Sequence, residues 1–333
     1  MIFLLFSFIT FTQGNTDIVQ CPPSRITIEN SLYNANIPGL AAIVINSTNI
    51  LYEQSFGYNA PPIKNERQPI DSLKTIFVLA SISQTFIAVA VMKLVELHKL
   101  ELDKNINQYL PSHMKVIHPF YPNISITMCY ILSHTSGIGP NFNEEIKHYV
   151  PNDDFTKTNL SDIILSYINN KSNWLYKPPG TVTHYSNIGA SLAALIVEQL
   201  AQIPFEQYVR EKILQPLGIN KNDAGYRLSD FENRKKDLIE HYLFNSSWLE
   251  QAQNLLPQLN IRRVDNTSDW LYISHFDVSD YPAGLLRMSA HSLAIYLQSF
   301  LNDFSPLLLN SSSVNEMIRI NPDHIKEYEF GLI

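Results

Sequence analysis

Ser81 and Gln84 stand three residues apart at the head of SISQTFIAVAVMKLVEL, a run that is apolar on nearly every side until charges appear at Lys93 and Glu96. On a helix, positions i and i+3 share a face, so a serine followed by a lysine at this spacing sets an amine beside the hydroxyl it must deprotonate. Here the second position holds a carboxamide, which neither accepts a proton near pH 7 nor brings a positive charge. Ser81 therefore has two readings: a nucleophile without its lysine, or simply the N-cap of the helix that follows.

Metal and other hydrolytic chemistries have less support. His98, His113, His118, His148, His241, His275, His291 and His324 show no metal-ligand spacing, and neither H-E-x-x-H nor C-x-x-C occurs, so no metal site is expected. A G-x-S-x-G elbow is absent as well, which argues against an α/β-hydrolase.

Several elements must position these residues. PGLAAIVINSTNILYEQSFGYNA reads as two β-rich runs around a polar turn at residues 46 to 49, a hairpin with Asn46 at its tip. The pattern from Ser83 to Lys99 predicts a helix, buried through its first half and beginning near Ser81. GASLAALIVEQLAQ and FEQYVREKILQPLGI predict two amphipathic helices split by Pro204, and SAHSLAIYLQSFLND a further one with Ser289 as N-cap. Residues 111 to 180, rich in Pro, Asn and Ser, read as long ordered loops around short helices. With strands first, helices in the middle and a β-like EYEFGLI at the end, the pattern is α+β.

Five segments occur in one order: VLASISQTFIAVAVMKLVELHKLELDKNINQYLP, ITMCYILSHTSGI, PPGTVTHYSNIGASLAALIVEQL, YVREKILQPLGI and PAGLLRMSAHSLAIYLQSFLND. Together they resemble the serine β-lactamase and penicillin-binding-protein superfamily, in its class C and D-aminopeptidase-like branch, over about residues 35 to 333. The resemblance implies a β-lactamase/transpeptidase-like fold. An antiparallel sheet lobe (about 26–80 and 280–333) would stand beside a helical lobe (about 81–279), with Ser81 in the cleft between them. It implies Ser81 as acyl-forming nucleophile, Tyr185 as second general base, and Asn187 as the amide orienting the lysine and the substrate carbonyl. Gln84 occupies the lysine position.

The same resemblance makes His134 in SHTSG a supporting histidine, while His184, next to Tyr185, is a candidate base that could partly replace the lysine. Trp174 and Tyr176, near the expected mouth of the cleft, read as packing residues. The family's third motif, Lys or His, one residue, then Gly, should follow YEFGLI, whereas the sequence stops at Ile333; the sheet lobe is then expected to be C-terminally incomplete. Three expectations stay open: a serine hydrolase with weak or absent catalysis, a non-catalytic binding or scaffold glycoprotein, and an active hydrolase whose coding sequence continues past Ile333.

Composition bounds the rest. The 333 residues are 45% apolar and carry a net charge of −7, which suits a globular chain and offers no basic footprint for nucleic acid. MIFLLFSFITFTQG, residues 1 to 14, has the length of a secretory apolar region, is too short to span a bilayer and contains no Lys or Arg. It is read as a signal peptide ahead of one domain over 15–333, which places the protein outside the cell or in the endomembrane lumen. Cys21 and Cys129 would there be free to pair. Seven N-x-S/T sequons, at Asn46, Asn123, Asn159, Asn170, Asn245, Asn266 and Asn310, fit a glycoprotein. The expected partner is a small-molecule or peptide-like substrate in the cleft; no cofactor is implied, and no feature sets an oligomeric state.

Overall fold

The computed structural model describes residues 23–152, 159–308 and 310–319. The apolar leader, Cys21 and the EYEFGLI segment lie outside these residues. Within them, helices and antiparallel sheets form an α+β architecture.

The hairpin pairs Gly39–Ile45 with Ile50–Gly57, in register from Gly39 opposite Gly57 to Val44 opposite Tyr52. Its tip is closed by Asn46: the carboxamide oxygen accepts the Asn49 backbone N–H at 2.7 Å, as the local geometry of an Asn-led turn favours. At the other end Gly57 has φ +67°, and a Cβ there would meet the Pro38 carbonyl oxygen at 2.2 Å, so only glycine fits. The Ala290–Leu301 helix packs against the hairpin, capped by Ser289, whose hydroxyl accepts the Ser292 N–H. His291 and Glu53, 3.0 Å apart, tie helix to strand.

A second sheet centres on Arg287–Ser289, which pairs antiparallel with Ile76–Val78 on one side and Ala224–Gly225 on the other. Its strands are short, but Arg287 fixes the centre. The guanidinium is buried, pairs with Asp277 at 2.5 Å, and donates to the carbonyls of Phe276 and Tyr226. A buried charge of this kind persists only with its donors filled.

The helix over Ser83–Glu96 is the core. Phe86, Ile87, Val89, Ala90 and Val91 are fully buried, and Phe86 stacks on Tyr296 with centroids 3.9 Å apart. It packs on the helix Asn187–Ala201, buried at every position from Ile188 to Val197 and closed by Gln202 in the left-handed region at φ +58°. The next predicted helix departs from expectation. Only Phe205–Val209 is α-helical; Arg210–Leu214 widens into a π-turn and Gln215–Leu217 tightens into a 3₁₀ turn. Pro216 explains the break: it has no N–H to give, and its ring crowds the carbonyl one turn earlier.

Short strands also fall within the stretch expected as the helical lobe. Tyr149–Pro151 pairs with Phe276–Val278, while His241–Phe244, Trp270–Ile273 and Arg262–Arg263 make a three-stranded sheet. No single helix among the described residues is long and apolar enough to cross a membrane.

Candidate active site

Ser81 is delivered by a strand-to-helix turn. The strand Ile76–Val78 continues through Leu79, whose N–H donates to Leu286 O at 2.9 Å, and then Ala80 turns sharply at φ +47°. A non-glycine residue in that region is strained, of the order of 1 kcal/mol. The 3₁₀ turn Ala80–Ile82 follows, with Ser81 exposed. The N-cap reading fails here, because neither this turn nor the helix beginning at Ser83 uses a side-chain cap. Ser83, fully buried, pins the turn by accepting the Leu286 N–H at 3.2 Å.

Tyr185 and Asn187 come from the entry of a second helix. Ser186 caps the Asn187–Ala201 helix by accepting the Gly189 N–H at 3.0 Å, which places Asn187 in its first turn and Tyr185 just outside it. His134, itself left-handed at φ +55°, supports that entry. Its ring lies 4.7 Å from the Tyr185 ring, its Nδ1 accepts the Ser186 N–H at 3.3 Å, and its carbonyl accepts the His184 N–H at 2.8 Å. Burial, with His184 close by, lowers the His134 pKa to about 4, so it is neutral and serves as an acceptor.

The four predicted residues converge. Tyr185 Oη donates to Ser81 Oγ at 2.6 Å. Gln84 Nε2 donates to Tyr185 Oη, lies 3.2 Å from Asn187 Oδ1, and lies 3.3 Å from the Ala283 carbonyl oxygen. A carboxamide nitrogen has two hydrogens for these three acceptors, whereas an ammonium has three. The pocket around Gln84 Nε2 thus has the acceptor number of a lysine site filled by a residue with one hydrogen too few.

Proton placement follows from the same contacts. With its oxygen accepting from Gln84, the Tyr185 hydroxyl points its proton at Ser81. Burial raises the Tyr185 pKa above its ordinary value; the hydrogen bonds to Ser81 and Gln84 pull it down, while Asp280 and Glu145 push it up. A neutral phenol is a donor. It cannot remove the proton that Ser81 must lose to attack a carbonyl.

Other predicted residues fall outside this contact set. His184 sets its Nδ1 3.4 Å from the Tyr185 carbonyl. Trp174 is buried, with its indole N–H on the Ile168 carbonyl at 2.7 Å, whereas Tyr176 is 74% exposed against Phe120. Among the described residues, no group of three or more His, Cys, Asp or Glu is placed to hold a metal ion. Sequence reasoning missed two participants. The Ala283 carbonyl is backbone and leaves no side-chain signal, although it lies in the quoted PAGLLRM segment; Ser83 was hidden within an apolar run.

The fold has parallels among known proteins. The chain belongs to the beta-lactamase family, whose model matches residues 25–323. It is 24% identical over 289 residues to penicillin-binding protein 4* of Bacillus subtilis, covering 85% of this chain and 57% of that protein. The chain thus spans little more than half the length of that relative. Among solved structures, the octameric penicillin-binding protein homologue from Pyrococcus abyssi matches with a TM-score of 0.66 at 22% identity, over 87% of this chain and 58% of that one. The D-amino acid amidase from Ochrobactrum anthropi SV3 matches with a TM-score of 0.67 at 18% identity, over 88% and 73%.

Proposed function

We propose that this chain is a secreted member of the serine-hydrolase family whose acyl-transfer centre is assembled but not activated, so that catalysis through Ser81 is weak or absent. One observation carries the reading: the group hydrogen-bonded to Tyr185, Asn187 and Ala283 is the Gln84 carboxamide. It cannot take the Ser81 proton, and its hydrogen bond does not offset the burial that raises the Tyr185 pKa, whereas a positioned base usually contributes about 10²–10⁴ in rate.

Any residual reaction is acyl transfer. Ser81 Oγ attacks an ester or amide carbonyl, its proton passes through Tyr185 to the leaving group, and water then releases the acyl group. The amidase and penicillin-binding proteins named above support amide or peptide-like small molecules as the substrate class. Passage through the secretory route is supported by the apolar residues 1–14 and by sequons whose asparagines are exposed at Asn46, Asn123, Asn159, Asn170, Asn266 and Asn310.

Hydrolysis of a chromogenic ester tests it. The wild type is expected to match Ser81→Ala within a few-fold; a wild-type rate 10²-fold above that of Ser81→Ala would overturn the unactivated reading. The second reading, a non-catalytic binding protein that uses the same cleft, is favoured by the proton directed at Ser81. It predicts a rise in Tm with a carbonyl ligand and no acyl-enzyme.

A further inference from the structure

The Gln84 carboxamide has two ends, and only one of them is used. The Ala283 carbonyl, which can only accept a hydrogen bond, fixes its orientation: the end 3.3 Å away is the nitrogen. Nε2 also serves Tyr185 Oη and Asn187 Oδ1, so its hydrogens are committed on that side. Oε1, on the same carbon, has no hydrogen-bond partner among the described residues and is not buried. A lysine at this position would offer no acceptor at all.

Open donors stand close by. Ser81 Oγ takes the Tyr185 proton at 2.6 Å, and its own hydrogen has no partner among the described residues. Ser81 is exposed and Tyr185 is 39% exposed, so that hydrogen is open to solvent. Asn187 is engaged through Oδ1 alone, which leaves its Nδ2 hydrogens free among the described residues. Gln84 Nε2 and Ser81 Oγ bond the same Tyr185 oxygen and therefore lie within two hydrogen-bond lengths, about 6 Å. A carboxamide, with N–H and C=O on one carbon, bridges an acceptor and a donor at that separation. Charge acts in the same sense: Asp280 and Glu145, which bear on Tyr185, are both negative, and Gln84 brings no cation to offset them.

We propose that Gln84 sets the ligand preference of this site, which binds without cleavage uncharged carboxamides that carry an N–H: Gln84 Oε1 accepts that N–H, and the Ser81 hydroxyl donates to the carbonyl oxygen. The inference rests on the reading that Ser81 is not activated, and it involves no covalent step. Esters and N,N-dialkyl amides present the carbonyl alone and leave Oε1 without a donor. Carboxylates lack the N–H and add a charge that Asp280 and Glu145 oppose. A site built to hydrogen-bond a ligand N–H discriminates against the analogue without it, because its own polar group is then left unpaired.

The test is isothermal titration calorimetry of the full chain with four ligands that share one acyl group: phenylacetamide, N,N-dimethylphenylacetamide, methyl phenylacetate and phenylacetate. Chromatography of each mixture afterwards shows whether the ligand was cleaved. The wild type is expected to bind the primary amide about 10-fold or more tightly than the other three and to return it intact. Gln84→Leu, which removes the acceptor, should bring the amide and its dimethyl analogue within about 3-fold of each other. Should Gln84→Leu fail to fold, the ligand series on the wild type decides alone. Equal wild-type affinity for the amide and its dimethyl analogue overturns the proposal by itself, as does binding of none of the four, or an amide preference that survives in Gln84→Leu. Conversion of the amide or the ester to phenylacetate, lost in Ser81→Ala, overturns the unactivated reading beneath it.

Discussion

Tyr185 donates its hydroxyl proton to Ser81 Oγ across 2.6 Å, the reverse of the direction in which a base must work. The cause is Gln84. Its Nε2–H donates to Tyr185 Oη, and without a positive charge at that position the hydrogen bonds with Gln84 and Ser81 do not outweigh the burial that keeps Tyr185 protonated. A lysine would donate there too, but it would add the positive charge that favours the tyrosinate.

Tyr185 is thus expected to titrate above the ordinary tyrosine value. Difference absorbance titration of the wild type against Tyr185→Phe should show this residue ionising at higher pH than an ordinary tyrosine. As the folded form binds this proton more tightly than the unfolded form, its contribution to stability is complete below the ordinary pKa and is lost as pH rises through the raised one. Gln84→Lys should bring the transition down. A tyrosinate at pH 8 in the wild type would contradict the placement of the proton.

Acid should loosen the fold through its neutral histidines. Burial lowers His134 and His118 to about 4 and His241 to about 3, the last with help from His275 and Arg287. The unfolded chain takes up protons near pH 6.5 and the folded chain only near 4, so stability is full above that window and is lost as pH falls through it. By linkage each of these histidines loses about 2 kcal/mol between pH 7 and pH 4.5, so a total loss of several kcal/mol is expected in urea unfolding, and His134→Gln should reduce it. A flat profile would contradict the neutral assignment.

Arg287 should be among the most sensitive positions. Its removal takes the paired cation from Asp277, which is fully buried, and a donor from two backbone carbonyls. Arg287→Ala is expected to cost about 3–5 kcal/mol, whereas Arg287→Met with Asp277→Leu should recover much of it. Urea midpoints of the two variants decide the point; equal losses would mean that the charges are not what matters there.

Phe86 tests the core in the same way. It is fully buried and stacked on Tyr296, so Phe86→Ala should cost about 3–5 kcal/mol while Phe86→Leu costs less. A loss under 1 kcal/mol would mean that the helix does not sit as described.

The elements with strong local periodicity were legible in the sequence: the hairpin around Asn46, the helix at Ser83, and the Ser289 cap are where the residue pattern puts them. Pairings that join distant residues were not. Tyr149 opposite Val278 and Arg287 opposite Gly225 involve strands of two or three residues, too short to show alternation. Ser81, Gln84, Tyr185 and Asn187 were named from motif order, and the structure brings all four into contact. What sequence could not supply was the acceptor count around Gln84, because one of the three acceptors is the Ala283 backbone carbonyl. Pro216 was in plain view, yet its effect on the preceding turn depends on how far the helix would otherwise run.

The most direct measurement is intact-mass spectrometry after incubation with a serine-directed fluorophosphonate, on the wild type, Ser81→Ala and Gln84→Lys. The account expects no adduct on the wild type and one adduct on Gln84→Lys, placed at Ser81 by peptide mapping, with a labelling rate about 10²-fold or more above wild type. A Ser81-dependent adduct that forms on the wild type as fast as on Gln84→Lys would contradict it, since Ser81 would then be activated with the carboxamide in place.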